Sequence, residues 1–172
     1  IYTPSVYFLG GMNPIKFFQK MTPAMMFAFS SASSVATIPY NVESTKKMGV
    51  REEISNFILP LGATINMDGT AIYLGVTSVF IATCCGMDLS MHQYIAIALS
   101  STIASIGVPG VPGGALALMA MVFASAGIPI EGVAVAAGVD RLVDMGRTTM
   151  SITGDASCAV VMQRFSKGIF KD

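Results

Sequence analysis

The feature that most constrains the fold is a long apolar segment, residues 138–162, that nevertheless carries ionisable side chains. In an α-helix successive residues are about 100° apart, so its polar residues fall within a stripe roughly 100° wide. The stripe consists of Asp140, Asp144, Arg147, Thr148, Ser151 and Asp155. Charged groups at membrane depth are costly unless they face a bundle interior or a water-filled cavity. The stripe therefore predicts a polar interior surface and marks candidate functional residues.

The composition favours a membrane protein. Hydrophobic residues make up 53% of the chain and charged residues 12%, with a mean hydropathy of +0.66. A soluble domain carries about 25% charged residues, roughly twice as many. The formal net charge is zero, and no basic run with interleaved aromatic residues occurs, which argues against nucleic-acid binding.

Three interruptions divide the apolar sequence into short segments: residues 30–34, 66–70 and 105–114. Segments of about 12 to 15 residues are shorter than the roughly 20 that a membrane span needs, so we expect re-entrant or broken helices. The Gly- and Pro-rich residues 105–114 are predicted to lack regular helix and to act as a moving gate.

The lysine and arginine residues predict a topology. By the positive-inside rule, three groups mark cytoplasmic regions: Lys16 with Lys20, Lys46 with Lys47 and Arg51, and Arg164 with Lys167 and Lys171. The segment between the first two groups must then enter and leave on one side. Residues 52–140 contain no lysine or arginine, so the segment around residues 107–114 is predicted to re-enter from the opposite face.

These expectations define a fold class: an all-α membrane protein with two inverted repeats, each a re-entrant helical hairpin followed by a broken or long transmembrane helix. Inverted repeats with discontinuous helices are typical of transporters, since broken helices expose backbone groups to substrates and ions. An ion channel remains an alternative, because channels also use re-entrant loops. An enzyme is not expected, because no nucleophile with a base and no aspartate pair on two helices is visible.

Residues 66–70 read Asn-Met-Asp-Gly-Thr within apolar sequence. Asn, Asp and Gly are poor helix formers, so this stretch predicts an unwound helix. Its carboxylate, amide and freed carbonyl oxygens are ligands that a hard cation such as sodium prefers.

Together these motifs resemble the dicarboxylate/amino acid:cation symporter family, which includes glutamate and aspartate transporters. The resemblance is carried by the Asn-Met-Asp-Gly-Thr string, the serine-rich first tip, Gly-Val-Pro-Gly at 110–113, and the stretches 140–148 and 153–155. It covers nearly the whole chain and implies the C-terminal transport-domain core. The chain opens at Ile1 in apolar sequence, and we expect an N-terminal scaffold to be missing.

The resemblance implies a division of the chain. Residues 1–14 would end a preceding transmembrane helix, 15–50 form the first re-entrant hairpin, 51–88 a transmembrane helix broken at 66–70, 89–130 the second hairpin, 131–164 the last transmembrane helix and 165–172 a cytoplasmic tail.

The resemblance also implies a substrate site. Asp144 would bind the α-amino group of an amino acid, and Arg147 its side-chain carboxylate, which suits a planar bidentate donor. The remaining substrate-binding residues implied are Ser33, Ser34, Thr70, Val111, Pro112, Gly113, Thr148 and Ser151. The alternative is an Asp144–Arg147 ion pair that only stabilises the helix.

Three sodium sites are implied by the same resemblance. The first contains Gly62, Asn66, Ser151 and Asp155; the second contains Thr64 with carbonyl groups of Ser105, Ile106 and Val108; the third contains Asn66 and Asp68. Proton coupling is the alternative to sodium.

Several positions depart from the family pattern: Ala32 and Val35 in the first tip, Val108 in the second, and two positions of the last helix. Ser151 stands where an asparagine is usual, and a serine reaches less far and donates one hydrogen bond. Arg141 is an added charge, for which we expect an ion pair with Asp140.

We therefore expect sodium-coupled uptake of aspartate or glutamate, with neutral amino acids, cystine or C4-dicarboxylates as alternative substrates. The family further implies a homotrimer that spans the lipid bilayer of the plasma or inner membrane several times.

Overall fold

The computed structural model of the protein describes residues 2–107 and 110–169. Every regular element in these residues is helical, which confirms the all-α part of the predicted fold class. The elements are α1 (Tyr2–Pro4) continued by a π-helical segment (Ser5–Leu9), α2 (Pro14–Ser31), α3 (Ser34–Lys47), α4 (Glu52–Ile65), α5 (Asp68–Cys84), α6 (Met91–Ile106), α7 (Gly114–Ala126) and α8 (Gly132–Ile169).

Helices α2 and α3 pack against each other as a hairpin with a very short tip. Helix α2 ends at Ala32, which adopts a left-handed φ of +51°. Ser33 then caps α3, because its side chain accepts a hydrogen bond from the N–H of Ala36 at 3.2 Å. Two residues therefore reverse the chain, and serine hydroxyl groups stand at the tip.

Helices α6 and α7 form the second hairpin. Ser90 and Gln93 build a capping box at the start of α6. The prediction that residues 105–114 lack regular helix is wrong at Ser105 and Ile106, which belong to α6, and at the first residue of α7. The Ser105 hydroxyl donates to the Thr102 carbonyl at 2.8 Å, so its hydrogen-bonding capacity is met inside the helix.

The break between α4 and α5 is narrower than the sequence predicts. Asn66 and Met67 alone interrupt the helix, and α5 begins at Asp68. The Asp68 carboxylate accepts the N–H of Gly69 at 2.7 Å, where an acidic group stabilises a helix N-terminus. At the other end of the chain, α8 continues to Ile169, through the first part of the expected tail.

Two apolar clusters flank the polar stripe of α8. One joins α5, α6 and α7 around Met119 and Phe123, and includes Ala136 of α8. The other joins α2, α4 and α8 around Phe17, and includes Ile152 of α8. Asp140, Asp144 and Arg147 therefore lie between two packed apolar regions, and all three are buried.

By length and composition, one helical stretch of the described residues, Glu52–Cys84, is long and apolar enough to cross a membrane. The predicted cytoplasmic and external faces and the number of membrane crossings stay predictions.

Substitution of two glycines by alanine separates the effect of backbone strain on stability from the effect of helix propensity. Gly127 ends α7 with φ +70°, whereas Gly138 lies inside α8, and an added Cβ at either position meets no atom within 4 Å. We expect Gly127→Ala to lower the free energy of unfolding by about 1–2 kcal/mol, the cost of a left-handed alanine. Gly138→Ala should raise it by about 0.5–1 kcal/mol, since alanine favours helix. Thermal unfolding of the two variants tests this; changes of the same sign would contradict it.

Candidate functional site

A pocket forms where both hairpin tips, the α4–α5 break and α8 converge. It encloses about 300 Å³, counting the space at its open mouth. Its wall consists of Ala32 and Ser34 from the first tip, Met67 from the break, Thr70 from the start of α5, Gly110 and Val111 from the second tip, and Asp144, Arg147, Thr148 and Ser151 from α8. Most of the predicted substrate-binding residues therefore meet at one place.

The electrostatic centre of the pocket is the pair Asp144 and Arg147, which are only 3% and 7% exposed. Arg147 places Nη2 at 2.8 Å and Nε at 3.0 Å from Asp144 Oδ1. The other carboxylate oxygen, Oδ2, accepts the backbone N–H of Gly113 at 2.9 Å. The second tip is thus hydrogen-bonded to the charge pair through a residue that the sequence predicted to bind substrate.

One nitrogen of Arg147 is left without a hydrogen-bond partner. Nη1 lies 3.9 Å from Asp140 Oδ1, which is also unpartnered, and the guanidinium carbon is 4.9 Å from the centre of the Tyr73 ring. Stacking on an aromatic ring stabilises a cation. A buried donor without an acceptor is costly, so this nitrogen has unused capacity for an anionic ligand.

Asp140 belongs to the predicted polar stripe, but the sequence predicted no role for it beside Arg147. The expected Asp140–Arg141 ion pair is wrong: Arg141 is exposed and forms no ion pair within residues 2–107 and 110–169, while Asp140 faces Arg147. The spacing contained the signal. Residues 140 and 147 are two helical turns apart and share a face, whereas adjacent residues do not.

The two hairpin tips touch each other beside the pocket. Ser33 donates its hydroxyl to the Gly110 carbonyl at 2.8 Å, and the N–H of Val35 lies 3.4 Å from the same oxygen. A Cβ on Gly110 would overlap the Ser34 hydroxyl, so only glycine permits this approach. Of the remaining predicted substrate residues, Pro112 lies in the turn that the N–H of Gly114 closes onto the Val111 carbonyl.

A second polar cluster brings together the first predicted sodium set. Asn66 donates its side-chain amide to Asp155 Oδ1 at 2.8 Å and to the Ser151 carbonyl at 3.3 Å. Gly62 completes the set, because a Cβ there would overlap the Asp155 carboxylate. Asp155 is 2% exposed. The four residues therefore form a compact group rich in oxygen atoms.

Asp68, from the third predicted set, is hydrogen-bonded to a residue that sequence reasoning missed. The hydroxyl of Tyr2 donates to Asp68 Oδ2. Nothing in the local sequence pointed to this contact, since the partners are 66 residues apart.

The second predicted sodium set is not assembled by hydrogen bonds. The Thr64 hydroxyl donates to the Leu61 carbonyl of its own helix at 2.8 Å, and no hydrogen bond in the described part of the chain joins it to Ser105 or Ile106. Val108 lies outside the described residues. This set stays a prediction.

The donor chemistry distinguishes among cations. No group of three or more His, Cys, Asp or Glu side chains comes together anywhere in residues 2–107 and 110–169. Carboxylate, amide and carbonyl oxygens such as those of Asp155, Asn66 and Ser151 suit hard cations, whereas zinc and copper sites are built largely from nitrogen and sulfur ligands. The cluster therefore fits a hard cation.

Comparison with known proteins gives a consistent result over the whole site. A family model described as the sodium:dicarboxylate symporter family matches residues 1–165. The chain is 41% identical over 169 residues to excitatory amino acid transporter 3 of Oryctolagus cuniculus, covering 97% of this chain and 32% of that protein. It is 35% identical over 162 residues to the proton/sodium-glutamate symport protein of Bacillus subtilis (strain 168), covering 94% and 38%. The chain thus spans about a third of the length of the curated relatives it matches.

The close approach of Gly62 to Asp155 can be tested with a matched pair of glycines in apolar helices. We expect Gly62→Ala to destabilise the fold by about 1–3 kcal/mol, because the methyl group has no room beside the carboxylate. At Gly75 the nearest atom to an added Cβ is 3.9 Å away, so Gly75→Ala should be neutral or slightly stabilising. Melting temperatures of the purified variants provide the measurement. Equal melting temperatures would show that Gly62 and Asp155 do not pack as described.

Proposed function

The chain belongs to the sodium:dicarboxylate symporter family, and on that premise we propose that it forms the transport core of a secondary active symporter. The symporter couples sodium entry to the uptake of an acidic amino acid, aspartate or glutamate. One observation carries the proposal: a buried Asp144–Arg147 pair meets both hairpin tips at a pocket. The family is one of transporters, so no enzymatic reaction is assigned to the pocket.

The proposed substrate chemistry follows from the charge pair. In the described structure Asp144 and Arg147 neutralise each other. An acidic amino acid offers an ammonium group for Asp144 and a side-chain carboxylate for Arg147, so it can replace one ion pair by two charge-assisted contacts. Such an exchange avoids leaving either charge buried and unpaired, which would cost several kcal/mol.

The remaining polar groups of the pocket are proposed to hold the main-chain carboxylate. Ser34, Thr70, Thr148 and Ser151 supply hydroxyl donors, and the tip around Val111 supplies backbone N–H groups. Asp140 and Tyr73 lie behind Arg147 and would keep its guanidinium plane in place when Asp144 turns to the ammonium group.

Sodium is proposed as the coupled ion, bound by the oxygen-rich group around Asp155. Carboxylate, amide and carbonyl oxygens are the ligands that a hard cation prefers. The family description names sodium, and the bacterial relative is named for protons and sodium, so coupling to protons is the alternative for this chain.

The proposed mechanism uses the two hairpins as gates. We propose that the hairpins α2–α3 and α6–α7 re-enter the membrane from opposite faces. Each hairpin, together with the helix that follows it, would form one of two inverted units, divided at the predicted boundaries. The contact of Ser33 with Gly110 supports gating, because opening either side of the pocket requires that this hydrogen bond break. A multi-pass homotrimer in the plasma or inner membrane is the proposed assembly.

Acidic cargo is favoured over the alternative substrates because both charges are present. A neutral amino acid with an uncharged side chain has no second carboxylate for Arg147, and a C4-dicarboxylate has no ammonium group for Asp144. A channel would need a continuous polar lining, whereas the substrate pocket is a localised polar group with apolar clusters on both sides along α8.

Substitution of Arg147 tests the substrate assignment. We expect Arg147→Cys, in the full-length gene product reconstituted in liposomes, to weaken aspartate uptake about 10- to 100-fold in its Michaelis constant, since a hydrogen bond to a charged group contributes about 1.5–3 kcal/mol. Uptake of serine should change by less than about 3-fold, because it lacks the second carboxylate.

The matched control is Arg141→Cys, which removes the same charge from the same helix at an exposed position. Its preference between aspartate and serine should equal that of the unmodified protein. Equal losses for both substrates in the Arg147 variant would mean that the Asp144–Arg147 pair only stabilises the helix.

A further inference from the structure

The contact between Tyr2 and Asp68 has no part in the substrate pocket. The Tyr2 hydroxyl donates to Asp68 Oδ2, while Asp68 Oδ1 accepts the N–H of Gly69. Tyr2 is partly buried, whereas most of the residues that follow it up to Leu9 are exposed, and its side chain reaches the start of α5. Its hydroxyl therefore adds an oxygen atom beside the start of α5, which already carries the Asp68 carboxylate.

Gly154 makes this approach possible. A Cβ on Gly154 would lie 2.8 Å from the Tyr2 hydroxyl oxygen and 2.7 Å from Asn66 Nδ2, closer than nonbonded atoms pack. The absence of a side chain at one position of α8 thus admits both polar groups. Because Asn66 also donates to Asp155, a continuous polar cluster runs from Tyr2 to Asp155.

The cluster lacks a positive charge. It contains the carboxylates of Asp68 and Asp155, and no lysine or arginine whose side chain the structure describes forms an ion pair with either. Asp155 is 2% exposed, and a buried carboxylate without a counter-charge is unfavourable. A small cation would supply that charge.

We propose that the phenolic oxygen of Tyr2 is an additional ligand of the cation that this cluster binds. The inference rests on the proposed sodium coupling and adds a residue to the predicted ion sites. A tyrosine hydroxyl can donate its hydrogen to Asp68 and still direct a lone pair at a cation. Because selection among hard cations depends on the number of oxygen ligands and the size of the site, Tyr2 would help the site to prefer sodium over the smaller lithium.

The test measures cation binding rather than uptake. The full-length gene product is purified, and its melting temperature is recorded as sodium chloride or lithium chloride replaces choline chloride, since a bound ion stabilises the folded state. In Tyr2→Phe we expect the sodium concentration that gives half the stabilisation to rise about 2- to 10-fold. This is the range expected for the loss of one contact that is as strong as a hydrogen bond. The lithium concentration should rise less, so the preference for sodium over lithium falls at least about 2-fold.

Tyr7→Phe is the matched control, because Tyr7 lies five residues further along the same segment and is 57% exposed. It should leave both ion responses unchanged. If Tyr2→Phe does not fold, Tyr2→Met removes the oxygen with a flexible side chain, and the same shifts are expected.

Three results would overturn the proposal. An unchanged sodium response in the Tyr2 variant, with a normal response in the unmodified protein, would exclude Tyr2 and leave sodium coupling standing. Equal rises for sodium and lithium would mean that Tyr2 only positions Asp68. An unmodified protein that sodium does not stabilise would overturn both the ligand assignment and the proposed sodium site.

Discussion

The structure depends on one constraint: three ionisable side chains of a single helix are buried among apolar helices and must satisfy one another. Arg147 pairs with Asp144 and faces Asp140, and the ring of Tyr73 covers the guanidinium group. The second carboxylate oxygen of Asp144 accepts a hydrogen bond from the backbone N–H of Gly113. The position of the second hairpin tip is thus tied to a charge on α8 rather than to apolar packing alone.

The pocket and the polar cluster around Asp155 share a residue. Ser151 lines the pocket, and its carbonyl accepts a hydrogen bond from Asn66, which also binds Asp155. Asn66 in turn belongs to the two-residue break between α4 and α5. A cation that reorients Asn66 would therefore disturb its hydrogen bond to Ser151, a residue of the pocket wall. One hydrogen bond would thus couple ion binding to substrate binding. Glycines at 62, 110 and 154 permit these contacts, because each stands where a methyl group would overlap a neighbouring polar atom.

Much of this arrangement was predictable from the sequence, because the cost of burying a charge and the helical period can both be read from residues close in sequence. Charges in an apolar segment identified α8, and the poor helix formers Asn66, Asp68 and Gly69 identified the break. The helical period placed Asp144, Arg147 and Ser151 on one face. The extent of irregular structure was not predictable. The Ser105 hydroxyl is hydrogen-bonded within α6, and Asp68 stabilises the start of α5, so both residues lie in helices. The partner of Asp68 was missed for another reason, whereas the spacing of residues 140 and 147 on one helix contained the signal for the partner of Asp140. The contact of Tyr2 with Asp68 depends on how elements that are distant in sequence pack together, since the two residues are 66 positions apart.

Transport through this pocket, driven by an ion gradient, is tested by the uptake of labelled aspartate into liposomes that contain the full-length gene product. The liposomes carry an inward sodium gradient, an inward proton gradient or neither. We expect aspartate to accumulate above its external concentration only when the sodium gradient is imposed. Aspartate uptake that is indifferent to both gradients would contradict symport, and accumulation driven by protons alone would contradict the choice of sodium.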